Sequence, residues 1–588
     1  MMIRLLYLLT LLLWALPFIP GVLGILIPAF SWLPVLGMTT PSLQAFTTVL
    51  YWPGLSTAIG LTLLTGLGST LLAVLFCFLI LKRYWGSRRW QLLEHSLSPM
   101  LAMPHVAFAI GFAFAFSPTG WLFRLLEFFG LNTYGWFSLT QDPYGLGLML
   151  ALAVKETPFL LLMSIAVLQQ IQVSRLMAVS AGLGYSRHES WLKVILPQWL
   201  PGMRLPIFAV TAYGLSVVDV ALILGPTRPP TLAVLVWQWF NEPDLTLLPR
   251  AAVGALVLLS IALLTLGMLR ASEWLGLRYC RHWQFSGPTK KQHPPRIHQH
   301  AKKIVRTSAP RRLTGFHLPL YLPFVAIPMI VIPVLMLWSV AQRWRFPDLL
   351  PSRYSARFWQ QESASLIELA TNSITLALIS SLAALILAIA CLEYRQKYQR
   401  GLPGWFIALP MVIPQLSLLF GIQITTYWIP GQWYWFWVCW GHLLFVFPYL
   451  YLALDGPWRH YDSRLDQTAR SLGLNGWQTW WQVKCPLLLP AIWLGLAVGI
   501  SVSLAQYLPT QMLGAGRIST MTTEAVALAS GQDRRVSAVY GLIQGVLPLI
   551  FFSLAMAASR FSARFRRTKP QQRRESTDDI ICGKPHYK

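Results

Sequence analysis

The sequence predicts an all-α integral membrane protein with about twelve transmembrane helices, arranged as two parallel six-helix repeats. Three observations carry that prediction. The 588 residues are 55% hydrophobic and only 12% charged, with a positive mean hydropathy, a balance too apolar for a soluble chain. The apolar residues fall in runs of bilayer-spanning length, where a helix satisfies its own backbone. The chain also repeats itself: Arg175-Leu176-Met177-Ala178-Val179-Ser180-Ala181-Gly182-Leu183-Gly184 returns as Arg464-Leu465-Asp466-Gln467-Thr468-Ala469-Arg470-Ser471-Leu472-Gly473. The offset is 289 (464 − 175 and 473 − 184), and it continues without a gap through Trp191/Trp480, Pro197/Pro486, Pro201/Pro490, Gly225/Gly514 and Arg228/Arg517. A register of prolines, glycines and tryptophans held over such a length reads as duplication and fusion of one gene.

Taken in order, the spans of the first half are Ile3 to Phe30, Gly54 to Leu81, Leu101 to Phe116, Tyr144 to Leu168, Leu205 to Leu224 and Ala251 to Leu269. Those of the second are Leu318 to Val340, Asn372 to Leu392, Ile407 to Trp428, Trp433 to Leu452, Ala491 to Leu508 and Val536 to Ala558. The first run is longer than a signal-peptide core and no A-x-A-like site follows it, so it is expected to remain as a helix. Residues 1–269 then form the first half and 317–559 the second. Between them, 270–316 is rich in Lys, Arg, His and Pro and is expected to be an irregular linker. The basic tail, 560–588, is expected to be irregular and to lie against anionic lipid.

Lys and Arg set the orientation. One set of connections collects Lys82, Arg83, Arg88, Arg89, Arg175, Arg187, Lys193, the linker, Arg395, Lys397, Arg400, Arg459, Arg464, Arg470, Lys484 and the tail. The positive-inside rule places that side, both termini and both repeated loops in the cytoplasm. Topology and lipid thus account for the net charge of +26, and nucleic acid is not an expected partner. The six cysteines show no C-x-x-C spacing, and the linker histidines (His282, His293, His298, His300) are irregularly spaced, so no metal site is indicated.

In each repeated loop a short helix is expected to stop at Gly184 or Gly473, and a second to stop at Pro197 or Pro486. Two such hairpins on one face imply two copies of a docking partner. The run Gln467 to Gly473, followed by Val483, Pro486, Leu487, Leu488, Pro490 and Ala491, resembles the E-A-A-x-x-x-G signature of ABC-importer permeases with its trailing leucine-proline segment. Ala178 to Gly184, with Ile195, Leu196, Pro197 and Pro201, is similar but looser. The resemblance is to the fused double permeases of type I importers: the ferric-iron and thiamine permeases and, through Lys155-Glu156-Thr157-Pro158-Phe159, the Ynj-type permeases. It implies that Arg175, Ala178, Ser180, Gly184, Pro197 and Pro201, with Arg464, Asp466, Gln467, Ala469, Gly473, Pro486 and Pro490, belong to coupling loops seated in two ATP-binding subunits. The signature's leading Glu is Ala178 in one half and Gln467 in the other, and Asp466 stands beside the latter.

No G-x-x-x-x-G-K-[ST] occurs, so this chain is expected to bind no cofactor. ATP and Mg²⁺ would be used by the partner ATPase, and a separate periplasmic solute-binding protein would capture the solute. The chain carries no residue set for bond chemistry and reads as a permease, not an enzyme.

An ionisable side chain near the bilayer centre costs about 2.5 to 3.5 kcal/mol on insertion scales, so each one needs a reason. Lys155 and Glu156 fall midway along the fourth span and Asp219 in the fifth. Either the two carboxylates line a route for a cationic solute, or Lys155 binds an anion, or Lys155 and Glu156 pair with neighbours inside the bundle. His105 and Gln415 are weaker pathway candidates, as are Gln423, His442 and Gln506, since such groups also serve as interhelical glue. The carboxylates lean toward a cation such as thiamine, ferric iron or a polyamine, with oxyanions still open. The alternative function is a twelve-helix secondary transporter driven by an ion gradient. That class carries a Gly/Asp/Arg signature after the second span, where Lys82 to Arg89 has no acidic residue.

Overall fold

The computed structural model describes residues 2–133, 135–288, 321–429, 431–531 and 533–581. Of the linker expected over 270–316, the part from 289 onward lies outside the described residues. The described residues are mostly helical, with one short hairpin (Ala341–Arg343 with Arg353–Tyr354).

The first span is two helices, α1 (Met2–Ala15) and α2 (Phe18–Ala29), with a break at Pro17. Next come α3 (Leu55–Tyr84), α4 (Arg88–Ala102), α5 (His105–Phe116), α6 (Leu146–Gln170) and α7 (Val173–Gly182). The half ends with α8 (Arg204–Ser216), α9 (Asp219–Leu224), α10 (Leu232–Phe240), α11 (Leu248–Tyr279) and the short α12 (Arg281–Phe285). The second half runs α13 (Leu322–Val340), α14 (Arg357–Tyr398), α15 (Gln415–Thr426), α16 (Tyr434–His460) and α17 (Arg464–Ser471). It closes with α18 (Cys485–Leu504), α19 (Leu508–Leu513), α20 (Met521–Ala529) and α21 (Arg534–Ile581).

Ten described helical stretches are long and apolar enough to cross a membrane, and two of the twelve expected spans, Leu205–Leu224 and Ile407–Trp428, are not among them. Leu205–Leu224 divides into α8 and α9 because Val217 is extended, and α9 starts afresh at Asp219. Ile407–Trp428 divides where Ile413 and Pro414 leave helical geometry, since proline has no N–H and pushes its predecessor toward extended backbone. Met103 and Pro104 separate α4 from α5 in the same way, so the expected span from Leu101 begins only at His105. Two expected irregular stretches are helical: α11 continues past Leu269 to Tyr279, and α21 runs through the basic tail to Ile581.

The two halves interlock through their first helices. α2 packs on α15 of the second half and α1 on α14, while α13 packs on α5 of the first half. Small residues permit these crossings. A Cβ on Gly24 would stand 2.0 Å from the Gly421 carbonyl oxygen, and one on Gly421 would stand 1.9 Å from that of Gly21. At the matching crossing, a Cβ on Gly111 would meet Val331 Cγ1 at 2.3 Å. The pairs share one offset (331 − 21 = 310 and 421 − 111 = 310), so Gly111 and Gly421 do the same work in the two halves. Further hydrogen bonds repeat as well. Thr62 Oγ1 accepts from the Leu232 amide at 2.7 Å and Ser373 Oγ from the Met521 amide at 2.8 Å, each at the first residue of a helix whose N–H groups lack intrahelical partners.

Candidate solute pathway and docking loops

Pro104 lacks the N–H that would meet the carbonyl of Met100 one helical turn earlier. Lys155 supplies the missing donor: its ammonium, buried on α6, gives a hydrogen bond to Met100 O at 3.0 Å. That hydrogen bond ties the ammonium predicted as a possible anion ligand to the end of α4. A parallel case lies across the bundle, where Trp440 Nε1 donates to Leu13 O at 3.0 Å, the carbonyl that Pro17 leaves open. Trp433 and Trp435, close by in sequence, are exposed.

Glu156, the next residue, points elsewhere. Its Oε1 lies 2.9 Å from His105 Nε2, at the first turn of α5. The His105 ring lies 4.8 Å from that of Tyr213 on α8. Asp219 opens α9 at the helix break, where its carboxylate draws on the backbone N–H groups of residues 219 and 220, and it lies within electrostatic range of His105 and Tyr213. Among the described residues no Lys or Arg forms an ion pair with Asp219. Tyr449 and Tyr507 of the second half lie near Glu156 and Asp219 respectively.

These groups sit deep in the bundle, yet the His105 side chain keeps 31% of its surface, and Tyr213, Asp219 and Tyr449 are likewise only half-buried. These polar groups are surrounded by protein yet partly accessible. α8 also packs against Leu409–Val412 of the second half, which puts the cluster at the junction of the halves. The cluster is unequal in its chemistry: His105, Glu156 and Asp219 all come from the first half. Gln415 is the positional counterpart of His105 (105 + 310 = 415), half-buried at the first turn of α15. Of the remaining polar candidates, His442 and Gln506 are structural in their contacts, whereas the buried Gln423 Oε1 has no hydrogen-bond partner among the described residues. His442 bridges Ser503 and Thr510 at 2.8 Å each, and Gln506 Nε2 donates to the His442 carbonyl.

Sequence reasoning missed the three tyrosines. A signal existed for one of them: Val218 and Tyr507 are matched by the repeat offset (507 − 218 = 289), and both flank a helix break.

The two repeated loops have nearly the same build. α7 and α17 each end on a left-handed glycine, Gly184 at φ +87° and Gly473 at φ +90°. Around the first, the amides of Gly184 and Tyr185 return to the carbonyls of Ala181 and Ser180; around the second, those of Gly473 and Leu474 return to Arg470 and Ala469. A capping box follows each time, Ser186 with Glu189 and Asn475 with Gln478, and then a widened π turn. Ser180 and Ala469, equivalent by the repeat, are the buried residues that seat each helix, and Ser180 donates to Ser190 Oγ at 2.8 Å. Pro197 lies in a short helix ending at Gly202 that also contains Pro201, whereas Pro486 opens α18 and Pro490 lies within it.

Arg175, Ala178, Arg464 and Gln467 are exposed, and the equivalent leucines Leu183 and Leu472 stand 65% and 79% exposed at the loop tips. Apolar tips of this kind beside basic residues suit docking to a protein. Asp466, beside Gln467, is half-buried, and its Oδ1 accepts from the Tyr461 hydroxyl at 2.6 Å. Burial and the neighbouring Asp466 carboxylate raise the Tyr461 hydroxyl above its ordinary range, so it stays a donor.

Three relatives complete the comparison. The chain is 32% identical to the inner membrane ABC transporter permease protein YnjC of Escherichia coli K12, over 95% of this chain and 98% of that protein. It is 27% identical to the putative 2-aminoethylphosphonate transport system permease protein PhnV of Salmonella typhimurium LT2, over 42% of this chain and 92% of that protein. It is also 27% identical to the probable sulfate transport system permease protein cysT of Chlorokybus atmophyticus, over 30% of this chain and 65% of that protein. A whole PhnV therefore aligns with less than half of this chain, as a fused pair requires. No family model matches the chain. With its duplicated helical bundle, its paired loops and a relative matched from end to end, the chain belongs to the inner-membrane permeases of type I ABC importers.

Proposed function

We propose that the chain passes a small solute bearing a cationic group inward between its two halves, past His105, Glu156, Tyr213 and Asp219. The supporting observation is the partly accessible cluster at the junction of the halves, with two carboxylates and no neighbouring ammonium free to bind an anion. Two copies of an ATP-binding subunit dock on the loops at 175–201 and 464–490, using ATP and Mg²⁺ that this chain does not bind. The basic side and both termini face the cytoplasm, and a loaded periplasmic binding protein delivers solute at the opposite face. ATP binding closes the two subunits, moves both loops together and opens the halves outward; hydrolysis restores the inward state.

Among solute classes, thiamine, polyamines and ferric iron suit the carboxylates. The relatives' names suggest phosphonate or sulfate; of these, 2-aminoethylphosphonate carries an ammonium that Glu156 or Asp219 can pair, whereas sulfate offers them nothing. The test is ATP-driven uptake into proteoliposomes holding the permease, its ATPase and its binding protein, with the solute identified by mass spectrometry of that binding protein. Uptake of a cationic or zwitterionic solute that falls in Glu156→Gln and Asp219→Asn supports the reading. An oxyanion solute, with uptake unchanged in both variants, refutes it.

A further inference from the structure

The two docking loops, so alike in backbone, are held by different parts of the chain. In the first, Lys193 lies buried in the π turn and donates to Ser286 Oγ at 3.1 Å and Gly287 O at 2.8 Å, with its ammonium 5.2 Å from the Trp283 ring. The segment from α12 to Pro288 is thus folded back under the loop, and a Cβ built on Gly184 would lie 3.8 Å from Pro288 Cγ. In the second loop the counterpart of Lys193 is the exposed Gln482 (193 + 289 = 482). There the buried lysine is Lys484, which pairs with Glu393 of α14 at 2.6 Å. The helix equivalent to α11 does not turn back either, since α21 continues unbroken to Ile581.

The folded-back segment presents Phe285 at 81% and Trp283 at 46% exposure, beside the exposed cations Arg278 and Arg281. Through Pro288 the segment abuts the Gly184 turn, next to the apolar tip at Leu183. We propose that 281–288 is a third docking element found only in the first half, and that the two ATP-binding subunits therefore sit on unequal platforms. The subunit on the first half meets Trp283 and Phe285 with an apolar patch and the two arginines with an acidic rim. This rests on the loops being ATPase docking sites.

The experiment places photo-reactive benzoylphenylalanine at position 285 of the full chain, in nanodiscs with its ATP-binding subunits. In parallel, the affinity of each bound subunit is measured for Trp283→Ala with Phe285→Ala, and for Lys193→Gln. The expected result is a cross-link to the ATPase, and a binding curve in which one copy weakens about tenfold while the other is unchanged, as loss of buried aromatic anchors predicts. Cross-links to lipid alone, with both copies bound as in the parent, would make the segment a membrane-interface element and overturn the proposal. Failure of the parent chain to bind any ATPase would instead overturn the docking reading on which it stands.

Discussion

Lys155 and Glu156 are neighbours in sequence with different tasks, and substitution separates them. Consecutive helical residues point about 100° apart, so one can face the C-terminal end of α4 while the other faces the space between the halves. Lys155→Met is expected to lower stability by about 1 to 3 kcal/mol, because the Met100 carbonyl stays buried without a donor, and to leave the KM for solute unchanged. Thermal unfolding and uptake kinetics on one preparation check both parts. Glu156→Gln is expected to do the reverse, cutting uptake about tenfold or more with little loss of stability, as removal of a charge-assisted contact predicts. The sequence displayed two intramembrane charges and a proline without an N–H; which charge answers which backbone group depends on how α4 packs against α6, and that is a tertiary fact.

At the scale of the element, the loops were the most legible part of the chain. Glycine at a helix end and a capping residue two positions later are local signals, and local physics set the observed build. The stops expected at Pro197 and Pro486 are absent, because the chain stays helical through both prolines. A side chain at Gly184 or Gly473 must adopt a left-handed backbone, which costs about 1 kcal/mol, and stands where an ATPase would sit. Gly184→Asp and Gly473→Asp are therefore expected to insert normally yet uncouple ATP hydrolysis from uptake, read as ATPase activity that no longer responds to loaded binding protein. The broken helices were less legible. Hydropathy sums composition over a window, and Leu205–Leu224 is apolar enough to span; nothing in that sum marks the extended Val217 that lets Asp219 begin a new helix. The recurrence of the break before Tyr507 shows that the duplicated unit carried it.

Across the whole molecule, duplication was visible in the sequence, but the exchange of first helices between halves was not, because no local pattern states which half a helix joins. The offset itself changes along the chain. Gly111 to Pro158 is 47 residues and Gly421 to Pro448 is 27, so the first half carries 20 more between α5 and α6, including the helix Trp121–Phe128. The crossing at Gly24 and Gly421 joins the halves, and a larger residue there must push two backbones apart. Gly421→Val is expected to destabilise the chain by about 1 to 3 kcal/mol or more, the usual range for overpacking, seen as a lower melting temperature in detergent and easier proteolysis.

The central claim is that one chain presents two ATPase docking loops, and counting subunits tests it most directly. Native mass spectrometry of the complex in nanodiscs should show two ATP-binding subunits per chain, one in Gly184→Asp, one in Gly473→Asp, and none in the double variant. Two subunits in every variant would contradict it.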